Sequence, residues 1–382
     1  MAETRELTQQ IKDKAHQLGF DLVGVTTPDP PLHLEVYRAW VKNDRNGEMD
    51  YLEGEKAYKR RADPREILAE CKSVLVLGLP YSNPDSKASD SSGHGRIAAY
   101  AWGEDYHQVL SERLEAIVEF IEHEVGHPVP NRWYTDTGPI LEREFAQRAG
   151  FGWIGRNTML INPEKGSYFF LAEILLGIEL EPDQPLETDH CGSCKRCIEA
   201  CPTECILPDR TLDASRCISY LTIELKGRIP ADLRPQMGDW IFGCDVCQAV
   251  CPWNERFALA SGDPSFLPRV GHDIVELESE LRLSVEKFNR KFQNSPVKRA
   301  KRRGYLRNVA VALGNEGDAS RVPALRRALL AETEPLVRGH AAWALGAIGG
   351  DAAIAALREA LENEREGTVV EEIHSALGEA GG

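Results

Sequence analysis

Nine of the ten cysteines fall between Cys191 and Cys251, and their spacing restricts what this chain can fold around. Cys191, Cys194, Cys197 and Cys201, with Pro202 after them, form a C-x2-C-x2-C-x3-C-P run. Two-residue loops let three thiolates converge on one [4Fe–4S] cube, while the fourth turns away toward a second cube. Cys244, Cys247 and Cys251, followed by Pro252, repeat the end of that run, and Cys217 stands upstream of them. By the crossed rule one cluster takes Cys191, Cys194, Cys197 and Cys251, and the other takes Cys201, Cys217, Cys244 and Cys247. A zinc site would need only four ligands, more often as two separated pairs. Cys71 and Cys205 are left over, each expected as a small buried hydrophobe. Cys205 is also a poor substitute for Cys201, because no proline follows it.

Compartment and charge narrow the class. The N-terminal stretch lacks a basic start with an apolar core and has no paired arginines, so the expected location is the cytoplasm, where cysteines hold metal rather than disulfides. The apolar run from Phe169 to Ile178 is broken by Glu173 and falls short of the ~20 residues a bilayer demands. No membrane role is expected. A formal charge of −15 argues against indiscriminate coating of nucleic acid, but leaves room for a local basic patch.

The predicted class is α+β multidomain, in three regions. Residues 1–180 read as an α/β domain: Leu7, Ile11, Ala15 and Leu18 recur at helical spacing, Ser73 to Leu79 is an apolar run fit for a buried strand, and 106–125 is strongly amphipathic. A further strand is expected within 169–179, and the polar 85–95 as a solvated loop. Residues 181–270 carry the cysteines as an inserted ferredoxin-like module, entered through the linker-like EPDQP at 181–185. From 285 to 382 the chain repeats itself: the pairs Leu313-Gly314, Leu345-Gly346 and Leu377-Gly378 are 32 residues apart, and PALRRAL (323–329) aligns with AALREAL (355–361) at the same shift. Such a period is that of a HEAT-like solenoid. No G-x-G-x-x-G or Walker sequence is present, so neither NAD nor ATP is expected.

GEDYH (103–107), YTDTGP (134–139), GWIGRNTMLI (152–161), CISYLTIE (217–224) and GCDVCQ (243–248) closely resemble the epoxyqueuosine reductase family, and the likeness runs over essentially the whole chain. The resemblance implies base-off cobalamin in the first region, electrons fed through two [4Fe–4S] clusters, and reduction of epoxyqueuosine to queuosine at the wobble position (34) of tRNA. It puts Asp136 at the general-acid position, which a carboxylic acid can fill if burial raises its pKa toward neutrality. For cobalamin it points to Asp136, Asn157, Ser167, Ser219 and Asp245, with Lys59, Arg60 and Arg61 as candidates for the tail phosphate, and it places Tyr106 and His107 at the pocket. Two departures stand out. Relatives carry Arg at the position of Ala99, for which backbone or Arg96 must substitute, and a small non-ligating residue at that of Cys205.

The tRNA contact is read from charge. Nine basic and no acidic residues lie between Lys287 and Arg307, among them Arg299, Arg302, Arg303 and Arg307, enough to engage several phosphates. A wobble base turned out of its stack would need an aromatic platform, for which Trp240 and Tyr220 are candidates. An external low-potential electron donor and a monomeric state complete the expectation. The competing readings are a small-molecule reductive dehalogenase and an iron–sulfur electron-transfer scaffold.

Overall fold

The computed structural model describes residues 2–81, 92–186, 188–258 and 263–380. Its first layer is a four-stranded antiparallel sheet in the order Leu22–Thr26, Ser73–Pro80, Phe169–Leu176, Asn131–Tyr134. The two central strands are buried on both faces, which is why they read as continuous apolar runs rather than alternating ones. Helices Ala2–Gln17 and Tyr106–Val125 pack together on one face through Ile11, Ala15, Leu110, Leu114, Ile117 and Ile121. The second of these begins at an Asp105 side chain that accepts from the His107 amide and stops at Gly126, in the left-handed region at φ +76°. Helix Glu142–Arg148 covers the other face through Phe145 and Ala146.

The polar loop reading of 85–95 divides. Residues 82–91 lie outside the described residues, whereas His94–Ile97 is a strand, paired parallel to Trp240–Phe242 and antiparallel to Ile274–Glu276. Gly95 is needed there because a Cβ would meet the Leu277 and Ile241 side chains at 2.7 and 3.0 Å. This small sheet stitches the first region to the cysteine-bearing one.

Five helices close the described chain: Lys301–Glu316, Val322–Ala331, Pro335–Ile348, Gly350–Asn363 and Gly367–Ala380. Their glycine repeat has a packing cause. A Cβ at Gly314 would stand 2.8 Å from the Ala344 Cα, and one at Gly346 would stand 2.9 Å from the Ala376 Cα. Each of these two glycines therefore lets the corresponding helix of the next unit approach, whereas a Cβ at Gly378 would meet nothing within 4 Å. The solenoid and the cysteine-bearing region share one hydrophobic core, with Ile218, Leu221 and Phe242 in the same cluster as Leu306, Leu345 and Ile373. Asn308 seals that junction by donating to the Thr222 and Ile241 carbonyls at 2.8 and 2.9 Å. Among the described residues no helix is long and apolar enough to cross a membrane.

Candidate active site

Short helices Arg196–Glu199 and Val246–Ala249 pack against each other, each carrying the last cysteine but one of its run, Cys197 and Cys247. Proline follows each run, and Pro252 opens a further helix at its first turn, directing Cys251 away from Cys247. The thiols sense one another in two groups. Burial and then the neighbouring Cys191 and Cys251 push the Cys197 thiol up, and Cys251 lies in the field of Cys191 and Cys194. Burial and then Cys217 and Cys201 push Cys244 up, while Cys247 is raised by burial, Cys244 and Cys217, with Cys197 of the first group adding to it. Thiols so crowded resist joint ionisation unless a cationic core neutralises them, which is the chemistry of a thiolate-bound cluster.

A cavity of about 640 Å³ opens beside Cys191, Cys194, Cys197 and Cys251, walled by Trp253 and Phe257. Trp153, from the GWIGRN segment, donates its indole N–H to the Cys191 sulfur at 3.4 Å, and Asn157 donates to the Cys247 carbonyl at 3.3 Å. One segment thus touches both groups of cysteines.

Asp136 stands on the loop after strand Asn131–Tyr134, in the left-handed region at φ +58°. Its Oδ2 accepts from the Tyr106 hydroxyl at 2.9 Å and from Arg299 Nη1 at 3.1 Å, and faces His107 Nε2 at 3.6 Å. Its backbone N–H donates to Glu142 Oε1 at 2.6 Å, which holds the loop. His107 Nδ1 lies 2.7 Å from Asp105 Oδ1, and Arg299 Nε pairs with Glu224 at 2.7 Å. The side chains around Asp136 act against the expected rise. Partial desolvation of this half-exposed side chain pushes its carboxyl up, but the His107 contact, the Arg299 charge and the Tyr106 hydroxyl outweigh it and hold the pKa at about 2. The proton sits next door: burial lowers His107, but the hydrogen bond to Asp105 and the facing Asp136 carboxylate outweigh that and bring it to about 9.

Behind the loop are two carboxyls that the motif reading missed. Glu142 is raised to about 8 by burial and by the Asp136 charge. Glu173 is fully buried in the central strand, opposite Tyr134, with neither oxygen hydrogen-bonded among the described residues. Burial, then Glu142 and Asp136, push it well up. The one available signal was a glutamate interrupting an otherwise apolar strand.

The proposed cofactor residues fall in different places. Asp245 is buried and accepts from the Ala99 N–H at 2.7 Å; burial lifts it to about 6, against the lowering effect of that bond. The backbone of Ala99 is therefore engaged, whereas Arg96 turns elsewhere, pairing with Asp239 and lying 4.5 Å over the Trp240 ring. Ser167 is committed to Asn254 and Gln248 at 2.9 and 3.1 Å, and Ser219 is half-buried on helix Ile218–Ile223. Lys59 pairs with Glu55 at 2.7 Å on an exposed helix face, as Arg60 and Arg61 also belong to that helix. Arg61 is buried over Tyr37, 5.4 Å from its ring, and so is not free for phosphate. An aromatic layer of Tyr106, Phe170 and Tyr81 runs from Asp136 toward Gln248, with ring spacings of 4.4 and 4.6 Å. Beside it the buried Tyr168 hydroxyl has no partner among the described residues and lies in the field of Asp245 and Cys247. That orphan donor, with Asn157 and Asp245, fits a polar-rimmed cofactor such as a corrin with amide arms.

The basic segment is only partly a surface. Arg307 is fully buried and donates to the carbonyls of Leu221, Leu225 and Gly227. Arg302 grips Glu332 at 3.0 and 2.6 Å. Both are structural because helix Lys301–Glu316 turns that face into the core, so neither reaches RNA. Arg299 is engaged by Asp136 and Glu224, while Lys287, Arg290, Lys298, Lys301 and Arg303 are exposed. The suggested platforms also fail: Trp240 and Tyr220 are buried, and the Tyr220 hydroxyl accepts from the Glu48 N–H at 2.7 Å.

Three family models match the chain: "Epoxyqueuosine reductase QueG, DUF1730" over residues 61–137, "4Fe-4S double cluster binding domain" over 190–254, and "HEAT repeats" over 301–378. Curated relatives named epoxyqueuosine reductase include one from Pseudomonas aeruginosa, 40% identical over 88% of this chain and 93% of its own length. Another, from Escherichia coli, is 38% identical over 90% of this chain and 89% of its own. A crystal structure of an epoxyqueuosine reductase with an epoxyqueuosine-modified tRNA-Tyr stem loop superposes with a TM-score of 0.89 at 32% identity, covering 99% of each chain.

Proposed function

Because the chain belongs to the epoxyqueuosine reductase family, we propose that the loop holding Asp136 is where its reaction takes place. The protein reduces epoxyqueuosine to queuosine in tRNA, at the wobble position. The change consumes two electrons and two protons, turns the epoxide into an alkene and releases its oxygen as water. When bound, two [4Fe–4S] clusters and cobalamin supply the one-electron relay and a low-potential cobalt centre for the epoxide. Cys191, Cys194, Cys197 and Cys251 hold one cluster, and Cys201, Cys217, Cys244 and Cys247 the other. Asp245, Asn157, Ser219 and the Tyr168 hydroxyl are the groups we assign to cobalamin. Neither the dehalogenase nor the scaffold reading is favoured, since the relatives matched over most of this chain are epoxyqueuosine reductases.

The side chains handle the proton. The observation that carries the reading is Asp136 Oδ2, shared by Tyr106, His107 and Arg299 at the edge of an exposed basic patch. His107 stores a proton between two carboxylates, and Asp136 passes it to the departing oxygen. His107, Arg299 and Tyr106 together keep Asp136 ionised in the free protein. An RNA phosphate drawing Arg299 away would remove one of these influences and raise the Asp136 pKa, so that it holds a proton more readily. Lys298, Lys301 and Arg303, with Lys287 and Arg290, are the residues we assign to phosphate contacts. The working form is a monomer in the cytoplasm, where tRNA is found, supplied by an external low-potential donor.

The test is anaerobic incubation of reduced, cobalamin-loaded protein with epoxyqueuosine-containing tRNA, followed by nucleoside mass analysis. Queuosine is expected from the native chain, and its absence would overturn the reading. Asp136→Asn should abolish turnover with tRNA affinity retained; an active Asp136→Asn would remove Asp136 from the proton path.

A further inference from the structure

Cys205 is the one cysteine of the 191–251 array without a ligand role, yet it is not placed as filler. Its sulfur lies 3.4 Å from the Cys201 sulfur, within hydrogen-bonding reach for two sulfurs. It is 3% exposed. Its backbone is pinned, since the Cys205 carbonyl accepts from the Asp213 N–H at 2.8 Å and the next residue, Ile206, bridges to Leu212. Two sulfurs this close cannot serve two different irons of one cube, because the ligand bonds diverge from its corners. Cys201, which proline follows, takes the corner, and Cys205 is left against the bond.

A ligand thiolate has no proton, so in the loaded protein the only S–H between these sulfurs belongs to Cys205. We propose that Cys205 is a hydrogen-bond donor to the ligand sulfur of Cys201 and thereby sets the potential of the second cluster. Reduction puts added negative charge on the ligand sulfurs, so a donor there stabilises the reduced form and makes the cluster easier to reduce. Cys205 touches no substrate and acts through the cluster, as a positioning residue. The inference rests on the two-cluster reading.

The experiment is an EPR-monitored redox titration of the full chain, reconstituted with iron and sulfide, in wild-type, Cys205→Ala and Cys205→Ser forms. Cys205→Ala should keep its full iron content, move one cluster's midpoint to more negative potential and leave the other's unchanged. Cys205→Ser, which keeps an O–H donor, should return the midpoint toward wild type. Unmoved midpoints, equal shifts of both clusters, or a Cys205→Ser midpoint no closer to wild type than that of Cys205→Ala would overturn the proposal. Loss of the second cluster's iron in Cys205→Ala would also overturn it, by making Cys205 a ligand. If the wild-type chain holds no second cluster, the two-cluster reading and this inference fall together, whereas an intact pair with unmoved potentials removes only the inference.

Discussion

Replacing Arg307 by Met distinguishes a structural arginine from an RNA-binding one. Its guanidinium lies in the joint between helix Lys301–Glu316 and the segment after Cys217, bonded to the Leu225 and Gly227 carbonyls at 2.9 and 2.8 Å and also to Leu221. Methionine fills much of the same volume but leaves three carbonyls without a donor, each worth about 1–3 kcal/mol when unsatisfied and buried. Part of that loss is recovered, because burying the guanidinium is itself unfavourable: burial pulls its pKa down to about 10. The net destabilisation should be about 3–5 kcal/mol. With an unfolding entropy of ~2.1 cal/mol/K per residue, this corresponds to a melting point lower by roughly 4–6 °C for a chain of this length. Calorimetry gives the melt, and absorbance of the reconstituted protein follows the iron, which should leave faster because the loosened segment follows Cys217. Arg303→Met is the control: being exposed, it should change stability by under about 0.5 kcal/mol while weakening tRNA binding and reducing its salt slope by about one. An Arg307→Met protein with unchanged melting and iron retention but weakened tRNA binding would refute the structural role.

Three further outcomes follow from the same geometry. His107, raised to about 9, gains stability from its proton that is fully present below its ordinary 6.5 and disappears as pH rises through about 9; turnover should fall over that range, and Asp105→Asn should move the alkaline limb to lower pH, a shift that a pH–rate profile reads directly. Gly346→Ala should destabilise by about 1–3 kcal/mol because its Cβ meets Ala376 backbone, whereas Gly378→Ala, facing open space, should be neutral or slightly stabilising in the same thermal melts. Glu364, held at about 2 by its Arg338 hydrogen bonds, contributes stability above its ordinary 4.5 that is lost as pH falls toward 2; Glu364→Gln should lower stability at pH 7 and flatten that acid dependence in denaturant titrations.

Local signals were enough wherever spacing encodes contact. The apolar run at 73–79 is a strand because it is buried on both faces, and 106–125 is a helix with its caps written at either end. The 32-residue glycine period was legible because each repeat meets the same alanine of the next. The basic run at 287–307 misled for the opposite reason: charge counted along the chain carries no information about which side of a helix is buried, and Arg302 and Arg307 face inward. Glu142 belongs to no motif and Glu173 showed only as a break in an apolar run; that both stand behind the Asp136 loop follows from the pairing of strands 131–134 and 169–176 and the helix that covers them.

The sequence alone determined the sulfur ligands expected for each cluster, the solenoid and the family, since each depends on short-range spacing that any fold must respect. Only the tertiary structure decided protonation and orientation. Asp136 is an ionised carboxylate in the free protein because His107, Tyr106 and Arg299, distant in the chain, converge on one oxygen and outweigh its burial. Cys205 likewise acquires its role only from the 3.4 Å that separates it from Cys201. A pKa or a potential is a sum over neighbours in space, and the order of residues along a chain does not contain that sum.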